Sequence, residues 1–156
     1  MGVSFDTVDD EILIGSSDVF LQENSAQSVS AWIFPLTYGT ASIRGIMSRG
    51  LLRFTVRTVS GCGFSVGGAT SLFHTSTNNT ITINSWQHVG YTWTGTTVAT
   101  QAIIYVNGAT IQYAVTINGS ALTDNVNSNA YIGALTGSSL PFPGYIAEVA
   151  VWNTVL

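Results

Sequence analysis

Apolar and polar residues alternate with period two along most of the chain. In Val29-Ser30-Ala31-Trp32-Ile33-Phe34, one face carries Val29, Ala31 and Ile33 and the other carries Ser30, Trp32 and Phe34. In Leu52-Arg53-Phe54-Thr55-Val56-Arg57, the apolar Leu52, Phe54 and Val56 oppose Arg53, Thr55 and Arg57. Successive strand side chains point to opposite faces, so each segment predicts a half-buried strand. Trp86-Gln87-His88-Val89-Gly90-Tyr91-Thr92-Trp93-Thr94 alternates in the same way. Two further runs, Ile103-Ile104-Tyr105-Val106 and Ala109-Thr110-Ile111-Gln112-Tyr113, flank Asn107-Gly108. Asn-Gly readily takes positive φ at both central positions of a tight turn, so these runs predict a hairpin.

Strand segments recur about every 8–12 residues between turns rich in Gly, Ser, Asn and Thr, the spacing of an all-β sandwich. Helical turns are expected only near residues 17–21 and 123–126, and 75–80 reads as an exposed loop. Phe5 to Ile14 and Phe142 to Trp152 read as the first and last strands, with no leader, linker or tail outside them. Residues 1–156 are therefore expected to form one domain. A chain of this length buries roughly 70% of its unfolded surface and needs no staple.

Composition adds one unusual feature. Only 8% of residues are charged and none is lysine, against about 25% charged in ordinary soluble domains. The exposed surface must be built from Ser, Thr, Asn, Gln and Gly. Such a surface loses little when covered, and interface cores are likewise poor in Lys, Glu and Asp. Sheet edges also lack the lysines that discourage pairing. This composition suits a protein that lives against neighbours; compositional drift is the alternative. Four arginines against eight acids make a poor phosphate-binding field, which argues against nucleic acid. No apolar run reaches membrane-spanning length, so no membrane insertion is expected. The N-terminus shows no signal peptide. Cys62 is the only cysteine, so no intrachain disulfide forms. It reads as a small apolar residue in or beside a strand, with a reactive thiol as the alternative.

Five segments, in order along the chain, resemble the laminin-G-like domains of the concanavalin A-like superfamily. They are Phe5-Asp6-Thr7-Val8-Asp9-Asp10, Ser28-Val29-Ser30-Ala31-Trp32-Ile33, Ser85-Trp86-Gln87-His88-Val89-Gly90-Tyr91-Thr92 and Ile104-Tyr105-Val106-Asn107-Gly108. The fifth is Tyr131-Ile132-Gly133 followed by Phe142-Pro143-Gly144-Tyr145-Ile146-Ala147-Glu148-Val149. The resemblance implies a jelly-roll β-sandwich of two antiparallel sheets. It leaves the ligand open, because the family mixes glycan, protein, steroid and adhesion functions. Two departures stand out: Ala147 replaces the family's Asp, and the family usually continues into a short helical tail where this chain stops at Leu156.

Enzymatic relatives on this fold cleave glycosides with paired carboxylates about 5–10 Å apart. Asp9 and Glu11 come nearest, but they lie in the opening turn, and Glu148 is alone on its strand. A lyase would want Arg, His and Tyr on one face; Arg57, His88 and Tyr91 are the candidates. His74 and His88 have no local orienting partner. No catalytic set is expected.

The resemblance also implies one calcium, a hard ion wanting six to eight oxygens. Asp6, Asp9 and Asp10 are the candidate ligands, with Glu11 and Asp18 nearby; turn capping by Asp9 and Asp10 is the alternative. For a sugar, the resemblance places Trp32, Trp86 and Trp152 at packing positions. That leaves Trp93 and Tyr38 as candidates for an exposed platform. All four arginines, Arg44, Arg49, Arg53 and Arg57, cluster in sequence, and six of the eight acids fall between Asp6 and Glu23. Arg53 and Arg57 share a face. They suit head-to-tail contact with neighbouring copies or an anionic glycan, against a solvated face with weak internal ion pairs.

The function expected is non-catalytic attachment at a virion or other extracellular surface. The first form is a phage or viral decoration protein contacting a protein lattice or copies of itself. The alternative is a carbohydrate-binding module of a larger secreted or adhesive protein.

Overall fold

Among the described residues the alternation resolves into thirteen strands in two antiparallel sheets, an all-β sandwich. The computed structural model describes residues 2–6, 8–16, 21–39, 41, 43–58, 61–67, 71–122, 127–135 and 139–156. The strands are β1 (Val3–Phe5), β2 (Ile12–Gly15), β3 (Gln27–Pro35), β4 (Ile43–Arg49), β5 (Leu52–Arg57), β6 (Cys62–Val66) and β7 (Leu72–Ser76). They continue with β8 (Gln87–Trp93), β9 (Ala102–Val106), β10 (Ala109–Thr110), β11 (Tyr113–Ile117), β12 (Ala130–Ile132) and β13 (Gly144–Trp152). One sheet has six strands in the order β1-β13-β3-β8-β9-β10; the other has seven, β11-β7-β6-β5-β4-β12-β2.

Three expectations change in detail. The opening segment is not one strand: β1 pairs with β13 in the six-stranded sheet and β2 with β12 in the other. The acidic turn between them carries the chain from sheet to sheet. The expected loop at 75–80 begins two residues late, since Thr75 and Ser76 are buried in β7. The Asn107-Gly108 turn forms as expected, with φ of 51° and 78°, but only β10 pairs with β9 before Tyr113 crosses to the other sheet. The helical turns expected near 17–21 and 123–126 lie outside the described residues, Leu21 excepted. Among the described residues the helical content is one 3-10 turn, Ala99–Gln101.

The inward faces interlock as alternation requires. Val29, Ala31 and Ile33 of β3 meet Leu52, Phe54 and Val56 of β5 in one buried cluster. Its centre is aromatic. Tyr91 packs on Phe54 and Phe64 with ring centroids 5.3 and 4.5 Å away, and Trp93 lies 5.3 Å from Phe64.

One irregularity in β13 has large effects. Ala147 pairs with Trp32 and Ala150 with Ser30, so β13 spends one extra residue there. Glu148 takes φ of 51° to make this bulge. A bulge of this kind bends a strand and re-aims the residues after it. Ala147 and Trp152 are five positions apart and would face opposite ways on a regular strand. After the bulge both face outward, opposite Trp32 and Ser28.

Gly133, between β12 and the approach to β13, tests the packing. Its φ is 83°, and an added Cβ would overlap the ring of Phe5. Left-handed backbone costs an L-residue about 1–2 kcal/mol, and overpacking about 1–3 kcal/mol. Gly133→Ala should therefore lower unfolding free energy by about 2–5 kcal/mol in urea titrations; a loss under about 1 kcal/mol would contradict this packing.

Candidate functional site

The outward face of the seven-stranded sheet presents Arg53, Thr55 and Arg57 from β5. Ser65 and Gly63 of β6 lie opposite Arg53 and Thr55, and Phe73 and Thr75 of β7 come next. Space is tight at Gly63: a Cβ would press on the Thr55 and Thr75 side chains at 3.2 Å each, with the Arg57 stem in ordinary contact at 3.6 Å. The result is a floor of small residues between two arginines, roughly 13 Å apart along the strand. Arg53 lines a cavity of about 260 Å³ with Leu51, Ser65, Gly67, Ser71 and Phe73. Its Nε is buried without a hydrogen-bond partner. Neither Arg53 nor Arg57 makes an ion pair with a described residue.

The other two arginines behave differently. Arg44 and Arg49 sit opposite the inward Val56 and Leu52 and are buried. Arg49 donates from Nε to Ser128 O at 3.1 Å. The basic segment of the sequence is thus half core, and only Arg53 and Arg57 reach the outer face.

The aromatic assignments reverse. Trp93 is fully buried, whereas Trp32, Trp86 and Trp152 are 38%, 42% and 37% exposed. Trp93 shares parity with Val89 and Tyr91, so it points inward and donates Nε1–H to Thr96 O at 3.1 Å. Tyr38 is half-buried against the core, with its hydroxyl donating to Ile81 O at 2.9 Å, and is no free platform. The exposed platform is the outer face of the six-stranded sheet. There Trp32 packs on His88 at 5.5 Å, and Phe34 on Trp86 and Tyr145 at 5.6 and 6.0 Å.

Two cavities flank the Trp32–His88 pair. One, of about 470 Å³, lies over Ser30 and Gly90 between Trp152, Tyr105 and His88. The other, of about 340 Å³, lies between Trp32 and Trp86 over Ala147, with Glu148 at its rim.

Asp6, Asp9 and Asp10 converge, with one carboxylate oxygen of each within 4.8 Å of the others. Asp10 Oδ2 accepts the Asp6 N–H at 2.7 Å and Asp6 Oδ1 the Val8 N–H at 2.8 Å. Turn capping therefore occupies one oxygen on each of two carboxylates. The three carboxylates are near enough to one another to hold one hard cation, with water as its other ligands. Ala147 does not bear on this corner. The β1–β13 register runs Val3 to Ile146 and Phe5 to Gly144; continued, it places Ala147 beside Gly2, roughly 13 Å back along β1. Asp18 lies outside the described residues.

The lyase set does not assemble. Tyr91 is in the core, His88 on one outer face and Arg57 on the other. Burial raises the Tyr91 phenol pKa far above its ordinary value. His74 is buried, stacked on Tyr113 at 3.5 Å with Nδ1 3.1 Å from Thr116 Oγ1, and burial lowers its pKa. Cys62 is buried too, and loss of solvation pushes its thiol up to about 12. It packs rather than reacts.

The sequence profile of the concanavalin A-like lectin/glucanases superfamily matches residues 6–156, and the chain belongs to that family. No curated protein matches it. Among solved structures, it superposes on the CBM40 of a Ruminococcus gnavus IT-sialidase bound to α2,3 sialyllactose. The TM-score is 0.66 at 16% identity, covering 100% of this chain and 90% of that one. It also superposes on the NanB sialidase of Streptococcus pneumoniae (TM-score 0.71, 12% identity, 100% of this chain). A third is the Trypanosoma rangeli sialidase in complex with sialic acid (TM-score 0.65, 16% identity, 99% of this chain). The chain spans 26% of each of these two sialidases. At such identities the likeness establishes the fold.

The buried titratable groups make two measurable statements. Cys62 should resist a thiol-directed disulfide reagent in the native protein and react after denaturation; fast native reaction would contradict its burial. Below the ordinary histidine range, about 6.5, the unfolded chain protonates at His74 before the folded one. Stability should therefore fall as pH drops through that value toward the lower folded pKa. His74→Gln should flatten the melting-temperature profile over that window, and an unchanged slope would exclude His74 as its source.

Proposed function

We propose that this chain is a non-catalytic carbohydrate-binding module that uses Arg53 and Arg57 to hold an acidic glycan. The observation that carries this reading is the pair of arginines on one outer face with no ion pair to a described residue, Arg53 in a cavity beside Ser65, Ser71 and Phe73. A guanidinium offers a planar fork of donors that matches a sugar carboxylate. Ser65 and Ser71 supply groups for ring hydroxyls, and Phe73 an apolar face. The small floor at Thr55 and Gly63 lets a flat ring approach the sheet. The fold neighbour crystallised with sialyllactose supports the class of ligand. The separation of His88, Tyr91 and Arg57 supports binding without cleavage.

The aspartate corner is the calcium position in this reading. β2 lies three strands from β5, so an ion there steadies the sheet-to-sheet crossing and takes no part in sugar contact. Exposure to an extracellular or particle surface fits a module of this kind. No helix among the described residues is long and apolar enough to cross a membrane.

Hydrogen bonds to charged groups contribute about 1.5–3 kcal/mol. Arg53→Ser should therefore weaken acidic-glycan binding about tenfold or more on a printed array. Arg53→Ser/Arg57→Ser should abolish it, and added salt should weaken the wild type. Array hits that survive the double variant would remove the arginine site. Self-association lost in the double variant, without any glycan hit, would instead favour contact with neighbouring copies in a lattice.

A further inference from the structure

The larger cavity lies on the opposite outer face, and its chemistry differs from that of the arginine site. Its floor is Ser30 and Gly90, and its walls are Trp152, Tyr105, Thr92 and His88. Trp152 reaches this face only because of the Glu148 bulge. Most polar side chains here are not committed to a described residue. The hydroxyls of Ser30, Thr92 and Tyr105 and the ring nitrogens of His88 make no hydrogen bond to any described residue. Ser28, by contrast, is committed. Its Oγ donates to Thr154 O at 2.7 Å and accepts from Leu156 N–H at 3.1 Å, which lays the last residues along the groove's rim.

We propose that this groove is a second sugar site, selective for an uncharged pyranose. No charged side chain lines it, so an anionic ligand would lose solvation without gaining a counter-charge. A purely apolar ligand would leave four polar groups covered and unpaired, at a cost for each. The ligand that fits both conditions has apolar C–H faces for the Trp152 and Tyr105 rings and hydroxyls around its edge. The volume, about 470 Å³, falls within the usual range of small-ligand sites, about 300–1,000 Å³. The inference goes beyond the acidic-glycan reading and does not depend on Arg53.

The test is a titration of the ¹⁵N-labelled full chain with methyl glycosides of glucose, galactose, mannose and N-acetylglucosamine, and separately with sialyllactose. At least one neutral glycoside should shift the Trp152 indole N–H and the Gly90 amide saturably. Trp152→Ala should abolish that response. Tyr105→Phe, which removes a single hydroxyl, should weaken it about three- to tenfold with an unchanged melting transition. Arg53→Ser should leave it intact. The proposal is overturned if no neutral glycoside gives a saturable shift on this face, or if the response survives both groove variants. Loss of the sialyllactose response alone in Arg53→Ser, with the neutral response kept, supports two separate sites. Absence of any sialyllactose response sinks only the arginine reading.

Discussion

The sandwich is held by four rings. Phe54 and Phe64 come from one sheet, Tyr91 and Trp93 from the other, and all four are buried. Ring pairs of this kind contribute about 0.5–1.5 kcal/mol each beyond the area they bury. The arrangement also has a cost. The Tyr91 hydroxyl is buried without a partner, a penalty of about 1–3 kcal/mol that the packing must offset. Period two ties this cluster to both outer faces. Arg53 and Thr55 flank Phe54, Gly63 and Ser65 flank Phe64, and Gly90 and Thr92 flank Tyr91. Each candidate floor is thus the reverse side of the same aromatic lock.

Scarcity of charge shapes how such a surface recognises anything. Two of the four arginines are spent in the core, where Arg49 reaches a backbone carbonyl. With no lysine in the chain, Arg53 and Arg57 are outer-face cations on a molecule of formal net charge -4. An anion meets little competing positive charge elsewhere, and the opposite face offers hydroxyls and rings instead. The two faces can therefore prefer different ligands without a conformational change.

Much of this was legible in the amino-acid order. The parity of Val29, Ala31 and Ile33 against Ser30, Trp32 and Phe34 placed every one of those side chains on its observed side. The same parity applied to β8 sets Trp93 with Tyr91 and Val89, inward, although Trp93 was expected on an exposed platform. The resemblance to a family pattern, which set Trp32 in the core, and the position of Trp93 near a strand end, which suggested exposure, both pointed the wrong way. Alternation was the better guide because it follows from backbone geometry, whereas a shared motif says only that a residue is kept. Two features had no local signal. The opening acidic turn hides a change of sheet, since β1 and β2 each pair with residues more than a hundred positions away. The bulge in β13 is made by Glu148 rather than glycine, so nothing in the sequence marks where the phase shifts.

That phase shift has a consequence for how this surface can change over generations. Point substitutions alter one side chain at a time. Losing a single residue at 148 or 149 would instead straighten the strand, because the bulge holds one residue more than the partner strand. Trp152 would stay opposite Ser28 and Val151 opposite Val29, and the β1–β13 pairing at Gly144 to Ile146 would stay in register. The bulge is therefore a length reserve: this face can absorb the loss of one residue there and still keep its ring.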